Sequence, residues 1–228
     1  MLLLILVVVL DARLRFHAAG DVDGVGLRDA DRVADVPAFL DAVAVVGENG
    51  AGKTTLLNLL LGFLEPSEGY ISINDKKTAE ERRSFWSRIS YSRQQPFVIH
   101  DSIQNNITFS ASPDMERLWS AVNASGLTQL VHESEKGLDT LVTAGGKNIS
   151  GGQRQRLMMA RALYRDADLY VLDEPFNELD PAASKELLSH VKELGKLGKM
   201  ILLVTHDMAV HANVADRVMI MYAGRIAE

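Results

Sequence analysis

The chain has 228 residues, 47% hydrophobic and 24% charged, with a formal net charge of -6 and no cysteine. That length can bury a sizeable core in one large domain or in a core with a subdomain. The acidic balance argues against a broad nucleic-acid-binding surface, and the lack of cysteine excludes disulfides and thiolate metal sites. The opening stretch MLLLILVVVL is ten apolar residues, too short for the roughly 20 that a spanning helix needs and without the basic start of a signal peptide. A buried strand is expected there, with a truncated membrane segment as the alternative. Residues 1 to 46 contain no Ser, Thr, Asn, Gln, Lys or Glu, a joint absence that ordinary composition seldom produces. They are expected to be either a divergent β-rich region or a substituted stretch joined to an authentic domain beginning near Ala42.

Beyond them the elements alternate. The strand in AVAVV runs into a Gly-rich loop, and the apolar spacing of KTTLLNLLLGFL predicts a helix over 53–64. A turn at EPSEG and a strand at YISI follow. Pro113 signals a helix start, after which Met115, Leu118, Trp119 and Val122 share one face and are expected in the core. DLYVLDEP and MILLVTHD read as continuous apolar strands ending in polar residues, separated by a helix with Leu187, Leu188, Val191 and Leu194 inward. Such runs belong to a parallel sheet covered on both faces. The expected fold is α/β, one domain over 1–228, with a parallel sheet and a helical insertion around residues 100–160.

Gly47, Gly50, Gly52, Lys53 and Thr54 match G-x-x-x-x-G-K-[ST] between strand and helix, the pattern of a phosphate-binding loop. Glycines let the backbone approach a ligand that side chains would block. The expected nucleotide contacts run through Gly47, Glu48, Asn49, Gly50, Ala51, Gly52, Lys53, Thr54 and Thr55. Backbone N–H groups from Gly50 to Thr55 would surround the β-phosphate, aided by the helix dipole. Lys53 would reach the β- and γ-phosphates, and the Thr54 hydroxyl would bind Mg²⁺. Asp173 ends an apolar strand, where a carboxylate suits Mg²⁺, and Glu174 follows it as a base or positioner for the attacking water.

NISGGQRQRLMMARAL followed by DLYVLDEPFNELD resembles the signature and Walker B segments of the ATP-binding cassette family, and LLVTHD resembles its switch region. The motifs cover residues 43 to 225 in the family's order, so the chain resembles a nucleotide-binding domain of an ABC transporter. The resemblance implies a P-loop NTPase core, an N-terminal β-rich subdomain and a helical subdomain. It implies ATP and Mg²⁺ as cofactors, with His206 on the γ-phosphate, and Gln94 ligating Mg²⁺ beside the groove for a membrane domain; Gln95 is the alternative. It also implies that Ser150, Gly151, Gly152 and Gln153 grip ATP bound to the opposite subunit of a head-to-tail dimer. Asp180 then matches the aspartate that joins the two sites.

The implied partners are transmembrane domains and a second nucleotide-binding domain, identical or not, with no nucleic acid, on the cytoplasmic side of a membrane. PFVIHDSIQNNI and KGLDTLVTAGGKNISGGQ resemble the exporter branch, whereas THDMAVHANVADRV resembles importers. Four features depart from the pattern. Ile149 begins the signature where leucine is usual, FNELD replaces Ser-Ala-Leu-Asp, and TAGG stands where exporters carry a glutamate-bearing loop. The aromatic that stacks adenine is missing from its usual place about 25 residues before the loop, and Phe16 is the nearest candidate. The alternative reading is a soluble ABC ATPase of DNA repair or translation. Against it stand the short span from Lys53 to Ser150, with no room for a long coiled coil, and the absence of cysteine zinc sites.

Overall fold

The computed structural model describes residues 8–10, 14–19, 42–67, 70–73, 78–95, 97–206 and 215–226. In chain order the elements are β1 (Val8–Leu10), β2 (Leu14–Ala19), β3 (Ala42–Val46), α1 (Lys53–Leu60), β4 (Tyr70–Ile73), α2 (Ala79–Arg83), β5 (Ile89–Ser92), β6 (Asp101–Ser102) and α3 (Ile103–Thr108). Then come α4 (Met115–Ala124), α5 (Thr128–Glu133), β7 (Leu141–Val142), α6 (Gly151–Tyr164), β8 (Leu169–Asp173), α7 (Pro181–Lys196), β9 (Met200–Thr205), β10 (Arg217–Tyr222) and β11 (Arg225–Ile226). The fold is α/β with parallel pairing between the long apolar strands. It divides into two compact units, Met1–Ser87 with Leu202–Glu228, and Arg88–Ile201, with the boundary inside β9. The first seven residues of the apolar opening, residues 20–41 and residues 207–214 of the importer-like stretch lie outside the described residues.

In the first unit β1, β2 and β4 form an antiparallel sheet in that order. The register sets Phe16 opposite Ile73 and Ala19 opposite Tyr70. The run AVAVV becomes β3 with all five residues buried, paired in parallel with β10 from Arg217↔Val43 to Ile220↔Val46. Strands buried on both faces read as unbroken apolar runs, which is why this one was visible in the sequence.

The helix after the loop is shorter than its apolar run. Leu56, Leu57 and Leu60 are buried, but α1 ends at Leu60, because Gly62 takes a left-handed φ of 75° and turns the chain. A side chain at Gly62 would meet the Ala79 carbonyl oxygen at 2.9 Å. Phe63 and Leu64 consequently leave the helix and are exposed. Phe63 lies against Trp86, with ring centroids 5.0 Å apart, and the Trp86 indole donates to the Leu61 carbonyl at 2.8 Å. Fully buried Arg82 ties α2 to β4 by donating to the Ile71 carbonyl at 2.9 Å.

In the second unit β5 and β8 pair in parallel, from Ile89↔Leu169 to Ser92↔Leu172. A helical core gathers Val98, Ile103, Ile107, Leu118, Val122 and Leu157, with others from α5 and α6. Leu118 and Val122 are core residues of α4 and Trp119 packs at the edge, but Met115, the first residue of the helix, is 45% exposed. The expected face therefore begins one turn later. On α7 the buried stripe is Ala183, Leu187, Val191 and Gly195, at four-residue spacing, with Leu188 and Leu194 only half-buried. Small residues extend the stripe at both ends, a packing choice that apolar spacing alone does not show.

The segment PFVIHDSIQNNI is pinned from inside. Asn106, fully buried, accepts from the Ile99 N–H at 3.0 Å and donates to the carbonyls of Ile99, Asp101 and Ser102. Arg161 on α6 donates to the Asn106 and Phe97 carbonyls, both at 2.7 Å. Burial pulls the Arg161 guanidinium down to about 10, still charged at neutral pH. No helix among the described residues is long and apolar enough to cross a membrane.

Candidate active site

The phosphate loop leaves β3 at Gly47 and enters α1 at Lys53. Two of its glycines are forced by backbone geometry, with φ of 82° at Gly50 and 98° at Gly52. Gly47 is forced by space, since a Cβ there would lie 2.3 Å from the Met221 carbonyl oxygen at the end of β10. The loop is also tied to the following turn, where the Gly224 N–H donates to the Ala51 carbonyl at 3.0 Å. Gly47→Ala is expected to push β10 from the loop and lower stability by about 1–3 kcal/mol, as overpacking against backbone does. Thermal unfolding of the variant checks it.

The opening of α1 differs from that of most other helices here. α2, α3, α4, α6 and α7 begin on a Thr, Ser or Asp side chain that accepts from their first turn, whereas α1 begins on left-handed Gly52 with no side-chain cap. No acidic residue sits in its first turn. Its first N–H groups have no intrahelical acceptor and form the positive end of the helix dipole, which suits an anion. Lys53 is buried and folded back over the loop, its ammonium donating to the Gly47 carbonyl at 2.6 Å and the Glu48 carbonyl at 3.1 Å. Glu48, Asn49, Thr54 and Thr55 are exposed. His206, immediately after β9, is exposed as well.

In the second unit the expected carboxylates stand at the end of β8. Asp173 is 1% exposed and Glu174 3% exposed. Glu174 has a left-handed φ of 52°, uncommon for a residue with a side chain and a mark of a constrained position. The Gln155 side chain, buried on α6, donates to the Glu174 carbonyl at 3.2 Å and so holds this turn from below. Sequence reasoning missed Gln155, which reads as one more polar residue of a helix. Burial and then the Asp173 carboxylate push the Tyr91 phenol on β5 up to about 12. Gln94 and Gln95, both exposed, lie just past the end of β5. Since β5 and β8 are parallel neighbours, Gln94, Asp173 and Glu174 all issue from the carboxyl ends of their strands, the usual place for ligands in α/β sheets.

The signature segment opens α6. Ser150 is the cap, its hydroxyl accepting from the Gln153 N–H at 3.2 Å while the Gln153 side chain accepts from the Ser150 N–H at 2.8 Å. This capping box leaves the N–H groups of Gly151 and Gly152 in the first turn without intrahelical acceptors. Against these glycines lies FNELD. Glu178, with φ 63°, brings its carboxylate to 3.4 Å from Arg154 and into the space a side chain at Gly151 would occupy. Asp180 caps α7, accepting from the Ala182 and Ala183 N–H groups, each at 2.9 Å. The Ala183 N–H, foremost, holds the Asp180 carboxyl below the usual carboxylate range.

Among the described residues no cluster of three His, Cys, Asp or Glu side chains could hold a metal alone. Thr54, Gln94 and Asp173 are all oxygen donors. Oxygen donors of this kind suit Mg²⁺, which binds through one or two carboxylates together with substrate phosphates. As for Phe16, the register places its backbone opposite Ile73, and its side chain lies outside the described residues.

A family model described as ABC transporter matches residues 41–177. The ATP-dependent lipid A-core flippase of Burkholderia orbicola is 34% identical over 199 residues, covering 87% of this chain and 33% of the relative. That of Cupriavidus metallidurans is 35% identical over 230 residues, covering 93% of this chain and 38% of the relative. The chain thus spans about a third of the length of the curated relatives it matches. Among solved structures, a bacterial Atm1-family ABC exporter with ATP bound aligns with a TM-score of 0.76 at 26% identity, over 82% of this chain and 33% of that one. These relatives favour the exporter-like reading of PFVIHDSIQNNI over the importer-like one and over a soluble ATPase. The match spans the phosphate loop, the signature helix and the β8 carboxylates, and the chain belongs to the ABC transporter family, as an ATPase domain of its exporter type.

Proposed function

We propose that the chain binds ATP with Mg²⁺, closes head-to-tail on a second nucleotide-binding domain around two nucleotides, and drives export through partner transmembrane domains on the cytoplasmic side of a membrane. The observation that carries this reading is the uncapped start of α1, with Gly50 and Gly52 in left-handed conformations and Lys53 folded over the loop. The loop from Gly47 to Thr55 takes the phosphates, and Lys53 exchanges its carbonyl partners for β- and γ-phosphate oxygens. Thr54, Asp173 and Gln94 are the residues to hold Mg²⁺, which when bound neutralises charge developing on the phosphates. Glu174 takes the proton of the attacking water, and His206 steadies the γ-phosphate end. The names of the lipid A-core flippases and of the Atm1-family exporter support an ATP-driven exporter as the whole assembly.

Ser150, Gly151, Gly152 and Gln153 serve the nucleotide of the opposite subunit, with Asp180 between the two sites. The paired glycines and exposed Ser150 at the start of a 14-residue helix support that role. ATP then holds the dimer through its γ-phosphate, and hydrolysis releases it, a shift between two states set by differential contacts. Ser150→Ala tests the assignment. Because the hydroxyl also caps α6, the variant is expected to lose about 1 kcal/mol of stability. ADP binding to the monomer should stay near wild type while ATP turnover falls. If Ser150→Ala weakened ADP binding to the monomer as much as Lys53→Ala does, the cross-dimer role would be wrong.

A further inference from the structure

A carboxylate of the chain itself already lies where α6 begins. Oε2 of Glu178 sits inside the space that a side chain at Gly151 would fill, and the Glu178 carbonyl oxygen is 3.0 Å from where a Cβ on Gly152 would stand. Both glycines of the signature are thus crowded by one residue. The Arg154 guanidinium, from the first turn of α6, holds the carboxylate at 3.4 Å. Aligned on Asp180, FNELD sets Glu178 where Ser-Ala-Leu-Asp has alanine, so this carboxylate is one of the chain's departures from the family pattern. Resting on the cross-dimer reading of Ser150, Gly151 and Gly152 above, we propose that Glu178 is an autoinhibitory latch: in the single chain its carboxylate covers the start of α6, and it swings away before the γ-phosphate of the opposite subunit's ATP docks there.

Three observations carry it. The first is charge, because a carboxylate and a terminal phosphate are both anions drawn to the positive end of a helix, and like charges brought together there repel. The two cannot share the position. The second is the weakness of the hold. The Glu178 side chain is 57% exposed and that of Arg154 28%, and an ion pair so open to water contributes little, so an incoming nucleotide can displace it. The third is that opening needs only a side-chain rotation. The backbone of the turn is fixed on either side of Glu178, with the Asn177 N–H donating to the Glu174 carbonyl at 3.3 Å and the Leu179 N–H to the Phe176 carbonyl at 3.2 Å. Asp180 then anchors the turn to α7 through its two capping bonds. Gly151 is uncovered without moving any of these.

The dimer dissociation constant of the 228-residue Glu174→Gln chain, measured by sedimentation with Mg²⁺ and saturating ATP or ADP, tests the latch once Glu178→Gln or Glu178→Ala is added. Glu178→Gln keeps the shape of the side chain and removes its charge, whereas Glu178→Ala removes both. Each is expected to tighten the ATP-bound dimer about 5- to 150-fold, the usual span of a coupling between two sites. Each should leave the ADP-bound chain monomeric and the monomer's affinity for nucleotide unchanged. Dimerisation unchanged or weakened in either variant overturns the latch, since Glu178 would then only pack beside the glycines or would itself touch the partner. Equal tightening with ADP overturns it as well, because the obstacle would not concern the γ-phosphate. If all three chains stay monomeric with ATP demonstrably bound, the cross-dimer reading on which the proposal rests is what falls.

Discussion

Glu174→Gln is expected to bind ATP with near wild-type affinity and to hydrolyse it about 10²- to 10⁴-fold more slowly, the span typical for removing a general base. In barrier terms that is about 3–5 kcal/mol. The substitution is nearly isosteric, so the constrained turn at φ 52° and the Gln155 hydrogen bond to the Glu174 carbonyl are both retained. The phosphate loop lies elsewhere in the chain and is untouched. Steady-state phosphate release, measured alongside nucleotide affinity, separates the two effects. Turnover within a few-fold of wild type would remove Glu174 from the catalytic role and return its burial to a structural explanation.

Lys53→Ala should act on binding instead. Hydrogen bonds to charged groups contribute about 1.5–3 kcal/mol each, so losing the ammonium should weaken ATP and tripolyphosphate alike by about 10- to 100-fold. The loop also loses the bonds from Lys53 to the Gly47 and Glu48 carbonyls. A drop in thermal stability without ligand is therefore expected in addition, and the affinities must be measured well below the melting point. Equal affinity for tripolyphosphate in Lys53→Ala and wild type would mean that the lysine only holds the loop and does not touch phosphate.

What the sequence showed follows from how local each signal is. The strand in AVAVV was legible to the residue, because a strand buried on both faces is one apolar run. The phosphate loop was legible because its glycines answer to backbone conformation within a few residues, φ 82° and 98°. The reason for Gly47 was hidden, since the carbonyl of Met221 that crowds it arrives from the far end of the chain. The same holds for the end of α1, where the left-handed turn at Gly62 overrides an apolar run that continues through Phe63 and Leu64. On α7 the buried stripe uses Ala183 and Gly195, which hydrophobic periodicity weighs too lightly to find.

The site divides in the same way. Ser150 was legible as part of a motif, but its capping bond with Gln153 depends on the extended backbone at the cap, φ -67° and ψ 165°. The closeness of Glu178 to Gly151 needs the left-handed backbone at Glu178, a residue with no sequence preference for it.

Sedimentation of the Glu174→Gln chain with Mg²⁺ and either ATP or ADP bears most directly on the claim that ATP joins two copies of this domain and is then cleaved. With ADP the 25.0 kDa chain should sediment as a monomer. With ATP it should shift to a species of twice that mass, since on the proposed reading the opposite signature helix needs a γ-phosphate, which ADP lacks. A monomer in saturating ATP, with ATP demonstrably bound, would contradict it.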